Sequence, residues 1–291
     1  LARRFRITSM VIGLTIVAQG TSTHEVVVNI IAATGENTGI VLGNILGSNF
    51  LNILMILGIS AMIYPLTVRS NTTWVEIPLC LLAALVVLVM GSDVFLDELP
   101  ANVLTRSDGF ILLAFFFIFM GYTLHMLRNE TYTEEPRMKN LSKWKALLFI
   151  VLGLVLALAG GKLIVEGAVT LARMMGLSER VIALTIVAFG TSLPELATSV
   201  IAVRKKHADL AIGNVVGSNI FNTFLILGIS AVIHPVTIPA GGVLDFWVNI
   251  GASLLLFLFV FTGKGRRISR VEGLLFVLIY IVYVAVVLIQ A

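Results

Sequence analysis

Two glutamates, Glu25 and Glu195, lie inside strongly apolar sequence, each in the same company. Around the first, the chain reads Ala18-Gln19-Gly20-Thr21-Ser22-Thr23-His24-Glu25-Val26, followed by Gly43-Asn44-Ile45-Leu46-Gly47-Ser48-Asn49-Phe50-Leu51-Asn52. Around the second, it reads Ala188-Phe189-Gly190-Thr191-Ser192-Leu193-Pro194-Glu195-Leu196, followed by Gly213-Asn214-Val215-Val216-Gly217-Ser218-Asn219-Ile220-Phe221-Asn222. The offset is constant (Gly20 to Gly190, Glu25 to Glu195, Asn52 to Asn222) and runs ungapped from Leu1/Leu171 to Thr67/Thr237. A carboxylate, hydroxyls and amides are costly in lipid, so a function is the first explanation for them. Thr21 and Thr191 precede the glutamates by four residues, on the same helix face. Ser48/Asn52 and Ser218/Asn222 repeat that spacing, each pair offering a hydroxyl and an amide oxygen. Two carboxylates with neutral oxygens make a hard site, suited to Ca²⁺ or Na⁺ better than to Zn²⁺ or Cu⁺. Two carboxylates neutralise one Ca²⁺, and the same oxygens can hold several Na⁺ in its place.

Glycine and proline shape the neighbourhood. Gly20, Gly190 and Pro194 interrupt the helices beside the carboxylates, and irregular backbone in a membrane is tolerated where it lines a protein cavity. The carbonyls of Ala18 and Ala188 are therefore candidate ligands. Several residues also have plainer explanations. Gly43-x-x-x-Gly47 and Gly213-x-x-x-Gly217 suit close helix packing. Ser48 and Ser218 serve either as ligands or as helix glue, and Asn49 and Asn219 either ligate or brace the helices. His24 reads as a hydrogen-bonded interior group rather than a ligand. Lys162 and Glu166, four residues apart inside a span, read as a structural ion pair.

The elements that position these residues are membrane spans. Of the 291 residues 58% are hydrophobic and 12% charged, with mean hydropathy +1.02, against about 25% charged in a soluble domain. This is the composition of a polytopic all-α membrane protein. The single cysteine, Cys80, excludes an intrachain disulfide framework. The net charge of +4 resides in short loops, the membrane-orientation pattern rather than a nucleic-acid-binding face. Spans are expected at about 10–33, 39–63, 76–90 and 109–127, then at 146–174, 180–203, 211–233, 243–262 and 271–289. Residues 128–145 are polar and charged and read as a linker between halves.

The first half is thus residues 1–127, with its repeated motif at about 10–64; the second is 146–291, with its motif at about 180–234. The second half has one more span. Leu1-Ala2-Arg3 matches Leu171-Ala172-Arg173 at the end of the 146–174 span, so a partner helix of about 25 residues is expected upstream of Leu1. Five helices per half require opposite orientations, the inverted-repeat plan of secondary transporters with a midplane site. Lys and Arg mark the cytoplasmic side: Arg3, Arg4 and Arg6, Arg69, the linker, Arg204-Lys205-Lys206, and Lys264 with Arg266, Arg267 and Arg270 share one side. Glu36, the 93–108 loop, Glu179 and Asp245 fall on the other. A multi-pass plasma (inner) membrane protein with a cytoplasmic linker follows.

At Gly-Thr-Ser-Leu-Pro-Glu-Leu (190–196) and Gly-Asn-x-x-Gly-Ser-Asn (213–219) the chain resembles the cation/calcium exchanger superfamily, specifically its prokaryotic-type sodium/calcium exchangers. The resemblance covers essentially the whole chain. It implies a cation site of Thr21, Ser22, Glu25, Ser48 and Asn52 with Thr191, Ser192, Glu195, Ser218 and Asn222. It also implies alternating access, with the long 146–174 span and its partner sliding over a fixed core. Two departures stand out. Thr23-His24 replaces the family's proline before Glu25, which is expected to straighten that helix, and His24 can add pH sensitivity. Asn222 stands where potassium-dependent members carry Asp. Gly-Thr-Ser before each glutamate favours Na⁺ coupling over the Gly-Asn-Ala of the proton-coupled branch. The expected function is Ca²⁺ antiport against Na⁺; the ions are cargo, and no cofactor, enzymatic activity or nucleic-acid partner is expected. A proton-coupled exchanger, a passive cation pore and a non-transporting cation-sensing paralogue remain as alternatives.

Overall fold

The computed structural model describes residues 8–35, 37–129, 179–239, 242–262 and 265–289, with scattered positions between 144 and 176. The 128–145 linker, apart from its edges, most of the 146–174 span, Glu36, and the Lys162–Glu166 pair lie outside the described residues. Among the described residues, six helices are long and apolar enough to cross a membrane, and two bent pairs bring the total to eight. In chain order these are α1 (Ser9–Thr21) bent onto α2 (Thr23–Thr34), α3 (Thr38–Ile63), α4 (Thr72–Met90) and α5 (Arg106–Leu127). The second half supplies α6 (Ala183–Thr191) bent onto α7 (Leu193–Arg204), α8 (Ala208–Ile233), α9 (Gly242–Thr262) and α10 (Arg270–Ile289). Each span expected from the sequence in these regions is present.

Burial separates a centre from a rim. The apolar windows of α3 and α8 are 89% and 78% buried, whereas those of α4, α5, α9 and α10 are 28% to 44% buried. The peripheral helices therefore offer apolar faces outward, as lipid requires. The motif's small residues let the central helices close up. A Cβ on Gly47 would stand 2.7 Å from Ala188 Cβ and 2.8 Å from the Leu184 carbonyl; on Gly217 it would stand 2.9 Å from Ala18 Cβ and 2.8 Å from the Leu14 carbonyl. Both contacts join α3 or α8 to the bent helix of the opposite half, and they are the same contact at the repeat offset. This is the close packing expected of the glycine pairs.

Among the described residues, four two-residue strands record the orientation of the halves. β1 (Leu66–Thr67) follows α3, β2 (Val103–Leu104) precedes α5, β3 (Val236–Thr237) follows α8, and β4 (Arg267–Ile268) precedes α10. β1 pairs antiparallel with β4 and β2 with β3. α4 separates β1 from β2, and 19 residues of helix span about 28 Å. The two pairs hence lie at opposite ends of the helices. α3 ends at one and α8 at the other, so these repeat-related helices run in opposite directions. That is the inverted arrangement.

Candidate cation site

The bends are built into the backbone at Ser22 and Ser192. Their ψ values, 4° and 7°, leave the helical region, and the axis turns by 44° between α1 and α2 and by 53° between α6 and α7. The first copy breaks without a proline, so the expected straightening at Glu25 does not occur. Ser22 alone carries the turn there, whereas Pro194 adds to it in the second copy. Glu25 and Glu195 fall in the first turn of α2 and α7, where the positive end of the helix dipole favours a carboxylate. α1, α3, α6 and α8 each contain a π-helical stretch: Gly13–Val17, Asn52–Leu57, Ala183–Val187 and Phe221–Leu227. Such turns recur at functional sites, and here they begin at or flank the motif residues.

All ten side chains expected at the site are buried; the glutamates meet Ser22, Thr191, Ser192 and Ser218 at the junction of the halves, and Asn52 and Asn222, one helical turn beyond Ser48 and Ser218, meet asparagines of the opposite half. The halves interlock through hydroxyls. Ser22 Oγ lies 3.1 Å from Glu195 Oε1 and 3.1 Å from Ser218 Oγ, which is itself 3.4 Å from Glu195 Oε1. Thr191 Oγ1 lies 3.3 Å from Ser48 Oγ. Glu25 stands within Coulombic reach of Glu195 and faces Thr191 and Ser192. The Ala18 and Ala188 carbonyls are not freed by the break. Ala18 accepts from the Ser22 amide and Ala188 from the Ser192 amide, at 2.9 and 3.1 Å.

Four asparagines settle what the amides do. Asn52 Nδ2 donates to Asn219 Oδ1 at 3.0 Å, and Asn222 Nδ2 donates to Asn49 Oδ1 at 3.2 Å, related contacts at the repeat offset. Asn219 Nδ2 in turn donates to the Asn49 carbonyl, and Asn49 Nδ2 to Thr223 Oγ1, each at 2.9 Å. Asn49 and Asn219 are thus braces. They hold the nitrogen ends of Asn52 and Asn222 and leave the oxygen ends over.

Those oxygens belong to a larger set. Both carboxylate oxygens of Glu25, Glu195 Oε2, Asn52 Oδ1, Asn222 Oδ1 and the Ser192 hydroxyl are buried and have no hydrogen-bond partner among the described residues. Each orphaned neutral group costs about 1–3 kcal/mol, and an uncompensated buried carboxylate several kcal/mol. Oxygens left over in this way fit a hard cation. Among the described residues no three His, Cys, Asp or Glu side chains cluster, so the carboxylate pair is joined by neutral oxygens alone. His24, expected to be hydrogen-bonded, has a buried Nδ1 with no partner among the described residues.

Sequence reasoning passed over Asn44 and Asn214. Thr191 donates to Asn44 Oδ1 at 3.1 Å and Thr21 to Asn214 Oδ1 at 3.3 Å, again the same contact twice. Their recurrence at the repeat offset was the signal. Thr223, Asn29 and Ser199 carried no such signal. Thr223 aligns with Ile53, while Asn29 and Ser199, aligned with each other, differ in type. Asn29 Nδ2 nevertheless holds the Glu25 carbonyl at 2.7 Å, and Asn214 Nδ2 spans the Glu195 carbonyl and Ser199 Oγ. Asp245, expected as a loop charge, lies instead in the first turn of α9 and is buried.

Two oppositely directed repeats, bent helices and a buried oxygen cluster define a transporter-like membrane protein. The chain belongs to the sodium/calcium exchanger protein family, which matches residues 1–124 and 145–289. It is 40% identical over 294 residues to CaxA of Alkalimonas amylolytica, covering 97% of this chain and 89% of that protein. It is 29% identical to the sodium/calcium exchanger MaX1 of Methanosarcina acetivorans, over 98% of this chain and 91% of that one. A solved structure of the sodium-calcium exchanger NCX_Mj superposes with a TM-score of 0.79 at 33% identity, covering 98% of this chain and 89% of the other.

Proposed function

We propose that this protein is a secondary antiporter that moves Ca²⁺ across the membrane in exchange for Na⁺ by alternating access to the cluster around Glu25 and Glu195. One observation carries the reading. Three carboxylate oxygens and two amide oxygens are buried where the halves meet without donors, and the amides are locked with their oxygens free. Thr21, Ser22, Ser48, Thr191, Ser192 and Ser218 complete the proposed ligand set. The Ala18 and Ala188 carbonyls each already accept a backbone amide, so the side-chain oxygens bear the argument. Two carboxylates balance one Ca²⁺ and can be shared by several Na⁺, which makes the ions compete for one site. The orientation of the repeats supports alternating access, since inverted halves can exchange outward- and inward-open arrangements around a midplane site. In this reading residues 1–127 and 146–291 are the repeats. Residues 128–145 form a linker on the cytoplasmic side, placed there by Lys and Arg.

The test is ⁴⁵Ca²⁺ uptake into proteoliposomes loaded in turn with Na⁺, with K⁺ or with a proton gradient. Uptake that requires internal Na⁺ and disappears in Glu195→Gln is the expected result. Uptake driven by protons alone moves the protein to a proton-coupled exchanger. Flux without any counter-ion makes it a pore, and no flux under any gradient makes it a non-transporting cation binder.

A further inference from the structure

The stretch between α4 and β2 sets apolar residues among acids: Gly91-Ser92-Asp93-Val94-Phe95-Leu96-Asp97-Glu98-Leu99. Hydrogen bonds fasten it. The Val103 amide donates to Asp93 Oδ2 at 2.7 Å and the Val94 amide to Asn102 Oδ1 at 2.8 Å. The Ile238 amide, between β3 and α9, donates to the Asn102 carbonyl at 3.0 Å. The turn, the β2–β3 pair and the approach to α9 therefore form one wall. Gly91 draws the end of α4 onto this wall, since a Cβ there would stand 2.5 Å from Ile238 Cδ1 and 3.2 Å from Phe246 Cε2. Beside that contact a cavity of about 500 Å³ opens, lined by Leu88 and Val89 of α4, Val94 and Leu96 of the turn, and Val243 and Trp247 of α9. Its volume falls within the roughly 300–1,000 Å³ of small-molecule sites.

The chemistry of the walls selects the occupant. Ser92 and Asn102 also border the cavity, but the Ser92 hydroxyl donates to the Leu88 carbonyl at 2.6 Å and Asn102 Oδ1 holds the Val94 amide. An occupant therefore meets hydrocarbon almost throughout, which suits an alkyl chain and penalises a polar solute. The mouth faces the bilayer. Val89, Phe95 and Trp247 border it and are 60%, 86% and 57% exposed, continuous with the outward apolar faces of α4 and α9. Tryptophan favours the membrane–water boundary, and Trp74 stands at the opposite end of α4. Trp247 and the exposed acids Asp97 and Glu98 thus put the mouth where acyl chains meet headgroups. Asp93, Asp97 and Glu98 repel an anionic headgroup and attract an ammonium. We propose that this cavity is a lipid site, filled by one acyl chain of a zwitterionic phospholipid whose ammonium lies toward Asp97 and Glu98. The site requires a membrane around the chain and no particular transported ion.

Two measurements test it. Native mass spectrometry of the purified protein in detergent, with phosphatidylethanolamine or phosphatidylglycerol added, should show a single phosphatidylethanolamine retained and phosphatidylglycerol held more weakly. Val94→Phe and Val243→Phe each thrust a ring into the cavity, from different walls. Each should weaken retention by about tenfold, the loss of about two buried methylenes, with the Tm unchanged because both side chains are partly exposed. The second measurement uses the tryptophans, Trp74, Trp144 and Trp247. With Trp74→Phe and Trp144→Phe, a phospholipid brominated on its acyl chain should quench Trp247 emission to saturation. Trp74, kept alone instead on its outward face, should be quenched only in proportion to the lipid added. No retained lipid, equal retention in both filled variants, a preference for phosphatidylglycerol, or Trp247 quenching that merely follows that of Trp74 overturns the proposal; the last result would mean that bulk lipid alone covers this face.

Discussion

Ser22 Oγ and Glu195 Oε1, one from each half, stand 3.1 Å apart, whereas the repeat-related serine, Ser192, faces Glu25 without a well-formed hydrogen bond. The two carboxylates are consequently unequal. Glu195 Oε1 is met by two hydroxyls at 3.1 and 3.4 Å, whereas Thr191 and Ser192 face Glu25 without a well-formed hydrogen bond. A hydrogen bond to a charged group contributes about 1.5–3 kcal/mol. Ser22→Ala should therefore raise the KM for Ca²⁺ by about ten-fold or more, and more than Ser192→Ala does. Uptake kinetics of the two alanine variants side by side decide this; an equal effect would show that the asymmetry has no bearing on binding.

Removing either charge should be far more severe. Glu25→Gln and Glu195→Gln keep the shape of the site but leave one carboxylate to balance a divalent cation in low dielectric. Each should abolish Ca²⁺-dependent uptake while the protein still folds, because an unpaired buried carboxylate costs stability and the amide removes that cost. Retained exchange in either variant would sink the shared two-carboxylate site. A thermal melt run alongside should show a Tm equal to or above that of the wild type.

His24→Pro tests the bend. The axis already turns by 44° at Ser22 without proline, close to the 53° at Ser192 with one. Position 24 corresponds to Pro194, in the first turn of the helix after the break, where proline is well tolerated. Uptake should be preserved or raised. Complete loss in a folded variant would give His24 a direct role.

Much of this was legible in the sequence because the chain says it twice. An offset that carries Glu25 to Glu195 and Asn52 to Asn222 picks out the candidate site and the repeats, and the expectation of five helices per half anticipates their opposed directions. What stayed hidden was what the repeat does not share, or what hydropathy misplaces. Thr223 and Asn29 act on one side only, so no recurrence marked them. Asp245 stands near the start of an apolar span, where it was read as a loop charge, and Glu76, placed at the start of its span, carried no sign of its buried partner. Tertiary packing, with Tyr122 and Tyr283 as donors, is what draws them inside. The break at Ser22 was also misread: Gly20 was expected to interrupt the helix and the lost proline to straighten it, whereas Gly20 lies within the helical stretch Ala18–Thr21 and a non-helical ψ at serine suffices.

The last prediction concerns Asn222. Asn49 Oδ1 accepts from Asn222 Nδ2 at 3.2 Å, and Asn222→Asp removes that donor while adding a third carboxylate to the cluster. An acceptor would then face an acceptor, so the Asp side chain should swing away from Asn49 toward the cation. The additional charge favours divalent or multiple monovalent cations and opposes their release. The expected outcome is a lower KM for Ca²⁺ together with a slower maximal rate, measured as initial uptake over a range of Ca²⁺ concentrations. Asn222→Leu, which removes donor and oxygen together, should instead raise the KM. If both variants behave alike, the Asn222 oxygen is not a ligand, and its amide serves only to hold Asn49.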